Sequence, residues 1–297
     1  MFCNSESEAY KLLLLLTDKL SNDQLTLQKQ KTRVLTAQEY RDRHKLFEPD
    51  ETSDTDEQKL MRLTVRYDPY SPTAVKDYHE LKTALEEIDI IGVLTREVNK
   101  TRIDKTVTRQ AINAVATLDQ DKQKFALRVL LDKDNLITLA PVFSSIMRAV
   151  RSIYTDLNST SKDEVDHSIL DLFASSSYLV DIDINVSYIV QVLAMRHSQE
   201  KEELFVRLFD KHLDHIIRRQ IIIAMSNWDC HYWISDIKSS FTSMTTWERR
   251  SIIYSSYFLG DEGKHWRNHN KDNFSSEELL CRSWFSTKIQ NNANILP

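Results

Sequence analysis

The sequence predicts a mainly α fold, and three observations carry that expectation. Glycine and proline are scarce, at 3 and 5 of 297 residues. Apolar residues recur near a 3.6-residue period through most of the chain. The C-terminal third contains an internal repeat. So few glycines argue against open α/β sheets, barrels and glycine-rich phosphate loops, and for helices joined by polar turns. A chain of this length can bury a large core and divide into more than one unit.

Residues 5 to 20 open with Ser5 and Glu8 at capping-box spacing. Leu12, Leu13, Leu16 and Leu20 then share one helical face. Met1-Phe2-Cys3 ahead of them is apolar and abrupt for a chain start, as though a strand had been cut. Leu25 to Val34 supplies the one convincing β signal: Leu25, Leu27, Val34 and Leu35 alternate with polar residues around a Lys-Gln-Lys turn. A small α+β element is expected here, and by pattern alone it reads as a solvated hairpin with lysines on its rim.

A basic stretch from Tyr40 to Lys45 passes through Pro49 into an acidic run, Asp50 to Glu57, which reads as a solvated linker and a domain boundary. Pro69 and Pro72 favour an extended approach to the next helix. That helix is expected over Ala74 to about Leu94, with Leu81, Leu85, Ile88, Ile91 and Leu94 near the helical period. Arg96, Lys100, Arg102, Lys105 and Arg109 follow, opposed only by Glu97 and Asp104. They form a basic stripe if one helix carries them; the plainer reading is an ordinary exposed face. Pro141 suits a helix first turn, and the polar run from Asn158 marks the next boundary.

The repeat lies near the C-terminus. His215 to Ala224 aligns with Thr246 to Ser255 at an offset of 31, and Trp233 with Trp266, Lys238 with Lys271 and Phe241 with Phe274 at about 33. A repeat of this length with two helices per unit predicts a HEAT-like stack of helix pairs. All five tryptophans (Trp228, Trp233, Trp247, Trp266 and Trp284) lie in this region and read as packing wedges rather than stacking platforms for bases.

The formal net charge of -5 gives no overall attraction for nucleic acid, so any such surface must be local. Cys3, Cys230 and Cys281 have no paired spacing, which fits a reducing compartment. The apolar run Leu12 to Leu16 lacks the flanks of a signal peptide, and no stretch reaches membrane-spanning length, so a cytoplasmic protein is expected. Cys230-His231 is a poor zinc site without a second pair, and no metal is assigned. Glu86-Glu87 reads as a solvated face, and Asp261-Glu262 with His265 as a helix cap or a set of surface hydrogen bonds. No nucleophile elbow, phosphate loop or close aspartate pair for two-metal chemistry is present.

Met1 to Ala9, followed by Gln24-Leu25-Thr26-Leu27-Gln28-Lys29-Gln30-Lys31-Thr32, resembles the palm of bacterial reverse transcriptases. In that family a Tyr-x-Asp-Asp hairpin precedes a strand like Met1-Phe2-Cys3, and a Gly-Leu-x-Leu-Asn-x-x-Lys-Thr segment follows a helix. Leu25, Leu27, Lys31 and Thr32 match, while Gln24 and Gln28 replace the family's Gly and Asn. Tyr67 to Ala74 is similar to the approach to the thumb in retron-like and phage-defence members. Trp247-Glu-Arg-Arg and Leu259 to Arg267 are similar to their helical C-terminal extension.

The resemblance implies a palm remnant over 1–47, a linker over 48–72, a helical thumb-like region over 73–158 and a helical repeat domain over 159–297. It implies the C-terminal portion of an RNA-directed DNA polymerase, with a place in antiphage defence. The fingers and the catalytic aspartates would lie upstream, so the chain by itself would not complete catalysis. Lys31 corresponds to the lysine beside the incoming triphosphate, where an ammonium neutralises charge on the leaving pyrophosphate. Lys29, Thr32 and Arg33, with the thumb cations Arg96, Lys100, Arg102, Lys105 and Arg109, are implied to contact nucleic acid. The implied partners are an RNA template, an RNA/DNA duplex and an upstream fingers–palm half, with no membrane. No cofactor is assigned to this chain, since the family's Mg²⁺ sits on the upstream aspartates. The competing reading is a non-catalytic helical repeat scaffold that binds protein or RNA.

Overall fold

The computed structural model describes residue 3 and residues 6–22, 34, 36–37, 55–66, 74–100, 103–175, 177–211 and 214–290. Every regular element among them is a helix. The chain divides into two compact units, Met1–Ala84 and Leu85–Pro297.

In the first unit, α1 is Glu6–Asn22 and α2 is Asp56–Arg66. Leu12, Leu13, Leu16 and Leu20 of α1 are half-buried, as their spacing predicts, whereas Leu14 and Leu15 are 70% and 58% exposed. Helix α2 lies inside the stretch read as a linker, and its Leu60 and Met61 are buried. Two acids in its first turn, Asp56 and Glu57, complement the partial positive charge of the helix start. The acidic run that looks like linker composition thus includes a helix N-terminus. The expected hairpin from Leu25 to Val34 lies almost wholly outside the described residues, as do Ser5 and the Tyr67–Thr73 segment.

Helix α3, Ala74–Glu86, runs across the division, and α4 is Ile90–Val98. The sequence reads as one helix here, but Asp89 interrupts it. Its carboxylate accepts the Gly92 N–H at 2.9 Å and caps a new helix. Then follow α5 (Lys105–Ala114), α6 (Gln120–Leu131), α7 (Lys133–Thr138), α8 (Phe143–Ile153), α9 (Ser159–Ala174) and α10 (Asp183–Leu193). The rest are α11 (Gln199–Lys211), α12 (His215–Asn227), α13 (His231–Ile237), α14 (Thr246–Ser255), α15 (Gly260–His269) and α16 (Ser276–Gln290). Asn158, read as a boundary, is the N-cap of α9, accepting from Ser161 N–H at 2.8 Å. Pro141 sits in a single 3₁₀ turn that leads into α8.

Helices stack in sequence order: α5 packs on α8, and from there alternate helices follow, α8 on α10, α10 on α12, α12 on α14, and α14 on α16. The helices between them pack alongside, α9 on α6 and both α11 and α13 on α12. The buried faces are aliphatic, among them Ile112, Ile146, Val150, Ile189, Val190, Ile221, Ile222, Ile252 and Ile253. Each helix has one apolar stripe and must bury it on a neighbour, which is why the stack propagates along the chain.

A side-chain ladder crosses the last three stacked helices, and it follows the sequence repeat. The Arg218 guanidinium lies over the Phe209 ring, 4.1 Å from its centroid, and its Nε contacts Glu248 Oε1 at 2.6 Å. One repeat later Arg249 lies over Phe241 at 4.4 Å, and its Nη2 donates to Glu278 Oε2 at 2.7 Å. Phe209 meets Trp233 edge-on at 5.1 Å, and Phe241 meets Trp266 in the same way at 5.1 Å. Trp233 is therefore a packing wedge, whereas Trp247 and Trp284 are 47% exposed. Glu248 and Glu278 also close capping boxes, accepting from Thr245 N–H at 2.7 Å and Ser275 N–H at 2.9 Å.

Replacing Arg249 with Met should leave Glu278 buried without its counter-charge, lowering stability by about 3 kcal/mol. A urea midpoint unchanged by this substitution would show that the pair does not hold α14 to α16.

Candidate nucleic-acid interface

The five cations of the expected stripe do not share one helix. Arg96 is exposed on α4, Lys100 follows that helix, and Lys105 and Arg109 lie on α5. Arg102 lies outside the described residues, as do Lys29, Lys31, Thr32 and Arg33.

The break between α4 and α5 is built around Glu97. This residue is fully buried. Its carboxylate accepts from Lys100 Nζ, from Asp104 N–H at 2.7 Å and from Thr108 Oγ1 at 3.3 Å. Asp104 in turn caps α5, accepting from Thr106 N–H at 2.8 Å. Burying a carboxylate is costly unless it is paired and hydrogen-bonded. Lys100 thus already serves as the counter-ion of Glu97, although about half of its side chain stays exposed. Lys105 and Arg109 are different: both are exposed, and four residues apart they share one face of α5.

Two further polar clusters lie deeper in the array. Asp166 on α9 accepts from Tyr154 OH at 2.8 and 2.9 Å, and pairs with Arg196 Nη2 at 2.7 Å and Lys201 Nζ at 2.7 Å. Lys201 is only 1% exposed, and it also donates to Arg196 O at 3.0 Å. Burial lowers the Lys201 pKa against the opposing pull of Asp166, and burial raises that of Tyr154. This network ties α9 to α11. Its members are scattered from 154 to 201, so no local motif announces it.

The second cluster centres on Glu202. Its Oε2 lies 2.9 Å from His197 Nε2 and accepts from Cys230 Sγ at 3.3 Å, while its Oε1 accepts from Tyr232 OH. His197, Glu202 and Cys230 are residue types that hold Zn²⁺, and their ligand atoms lie within 4.8 Å of one another. The histidine beside Cys230 in sequence, His231, instead faces Asp229 at 3.5 Å. Cys230 is aimed inward because α12 ends with Asp229 in the left-handed conformation at φ 57°, and Cys230 N–H closes on Met225 O at 3.0 Å. Burial first, then the Glu202 hydrogen bond, push the Cys230 thiol up to about 12. Hydrogen bonds from Tyr232 and His197 hold Glu202 below the usual carboxylate range.

A thiol raised in the fold favours the folded state while it stays protonated. Its contribution is whole below the ordinary thiol value of 9.0 and is lost as pH rises toward about 12. Unfolding curves should therefore fall more steeply above pH 9 for this chain than for Cys230→Ser. Alkylation by iodoacetamide at pH 8 should be at least about tenfold slower at Cys230 than at half-buried Cys281. Equal rates would contradict the burial and hydrogen bonding of this thiol. No described helix is long and apolar enough to cross a membrane. No family model matches the chain, and no curated protein or solved structure matches it.

Proposed function

We propose that this chain is the C-terminal portion of a bacterial RNA-directed DNA polymerase of the retron-like or phage-defence type. It contributes nucleic-acid binding and a helical scaffold rather than complete catalysis. Support comes from the palm-like Leu25 to Thr32 segment and from the helical array that follows it. The single structural observation that favours a nucleic-acid role is the exposed pair Lys105 and Arg109. They stand one turn apart on the first helix of the stack, where they can track successive phosphates without reading bases. In this reading 1–47 is the palm remnant, 73–158 the thumb and 159–297 a HEAT-like repeat domain. Lys31 faces the nucleotide triphosphate, and the metal-binding aspartates and their two Mg²⁺ ions come from an upstream half.

A second reading has a specific observation in its favour. The repeated Arg–Glu–aromatic ladder makes the C-terminal helices a self-supporting stack, and such stacks present long surfaces to protein or RNA. Here the palm-like segment would be vestigial.

Mixing with a separately expressed fingers–palm half separates the two. The polymerase reading expects primer extension only from the mixture, and extension lost with the Lys31→Ala chain. Lys105→Ala with Arg109→Ala should weaken binding of an RNA/DNA duplex by about tenfold and flatten its salt dependence. A mixture without extension, paired with unchanged duplex affinity in that double variant, would leave only the scaffold.

A further inference from the structure

We propose that the groove between α15 and α16 seats the phosphate backbone of single-stranded RNA, a site that rests on the nucleic-acid part of the proposed function and gives it a location. The groove is built by the Leu259 to Arg267 segment. Gly260 begins α15 in the left-handed region at φ 57°, where a side chain would be strained. Gly263 follows, and a Cβ there would sit 1.7 Å from Ser256 O, so only glycine lets α15 come this close to the end of α14. One turn on, Arg267 reaches the same residue: its Nη1 donates to Ser256 O at 2.6 Å and to Ser256 Oγ at 3.0 Å. The guanidinium lies on the Tyr257 ring, 3.7 Å from its centroid. Tyr257 OH donates to Arg282 O at 2.7 Å, and Arg282 Nη2 donates to Asn268 Oδ1 at 2.8 Å, so α16 is fixed against the same frame.

The charges do not balance. Arg267 is 8% exposed, and among the described residues no carboxylate pairs with it. The two buried-face arginines of the ladder, Arg218 and Arg249, each have a glutamate. Arg267 instead has Lys264 and Arg282 lining the same groove, with the hydroxyls of Ser283, Ser286 and Thr287. No acidic side chain lines it among the described residues. Burial lowers the Arg267 pKa, against an upward pull from Tyr257, and the charge of Arg282 lowers it further. A carbonyl and an aromatic ring satisfy donors but bring no counter-charge, and a desolvated cation beside two others is stabilised by an anion from outside.

The shape selects the kind of anion. The groove has a volume of about 560 Å³ and runs open along two helices. A lone phosphate would leave most of it empty, whereas a flexible strand can set successive phosphates against cations on both walls. Hydroxyls serve phosphate and 2′-OH alike. The chain as a whole carries a formal charge of -5, so a local cationic groove is the form an RNA contact must take here.

The test is fluorescence anisotropy of a labelled oligouridylate with the full chain and with Lys264→Ala/Arg282→Ala, each variant first checked for unchanged thermal unfolding. The double variant should bind at least about tenfold more weakly, and its log K against log salt slope should shrink by about 1.4 for two lost phosphate contacts. Arg267→Lys, which keeps the charge but not the fork, should bind less tightly than the parent chain. If RNA affinity is unchanged in Lys264→Ala/Arg282→Ala but falls in Lys105→Ala/Arg109→Ala, the groove assignment fails and the proposed function stands. If the unaltered chain binds no oligouridylate, the groove fails, and primer extension in the mixed halves judges the polymerase reading separately. Tighter binding of a phosphoserine peptide than of RNA also overturns the assignment.

Discussion

The C-terminal stack depends on a glutamate that serves two helices at once. Glu248 and Glu278 each sit three residues after a Thr or Ser N-cap, so each carboxylate closes the first turn of its own helix. Each also receives the arginine of the preceding stacked helix, Arg218 or Arg249. The same carboxylate thus caps its own helix through local hydrogen bonds and pairs with the helix stacked before it. The arginines are held from the other side by Phe209 and Phe241, whose edges are set by Trp233 and Trp266. Such coupling between adjacent units fits a fold whose stability accumulates through nearest neighbours.

Three other carboxylates, two buried and one half-buried, are likewise tied into groups of donors. Glu97 joins α4 to α5, Asp166 joins α9 to α11, and Glu202 gathers donors from the end of α12 and the start of α13. In each case a carboxylate is surrounded by donors, from the next few turns of chain at Glu97 and from more distant segments at Asp166 and Glu202, which offsets the cost of its burial. Arg267 departs from this pattern: among the described residues its surroundings satisfy its donors without opposite charge.

The distribution of cations changes the meaning of the basic segment. Of the five residues that look like one stripe, the four described resolve into an ion pair at Lys100, an exposed pair at Lys105 and Arg109, and Arg96 on a separate helix. The reason is the break between α4 and α5, where Asp104 caps a new helix and cuts the helical pattern. Such a cut rotates the faces that follow, so spacing along the chain no longer reports spacing on the surface.

Mainly helical structure was legible in the sequence because helical period, scarce glycine and polar turns are local properties. The repeat was legible too: its Arg218/Arg249 match at an offset of 31 and its Trp233/Trp266 match at 33 are contacts that recur in the structure. Even the capping glutamates carry the Thr-x-x-Glu and Ser-x-x-Glu pattern. What no local pattern contains is the identity of partners. Cys230 meets His197 and Glu202 rather than adjacent His231, because the left-handed turn at Asp229 aims the thiol back across the helix pair. Lys201 and Asp166 meet because α9 and α11 pack, and among the described residues Arg267 has no carboxylate partner, while α16 brings Arg282 near it. Helix identity is set within a turn or two of chain, whereas charge pairing is set by which helices become neighbours, and only the packed structure decides that.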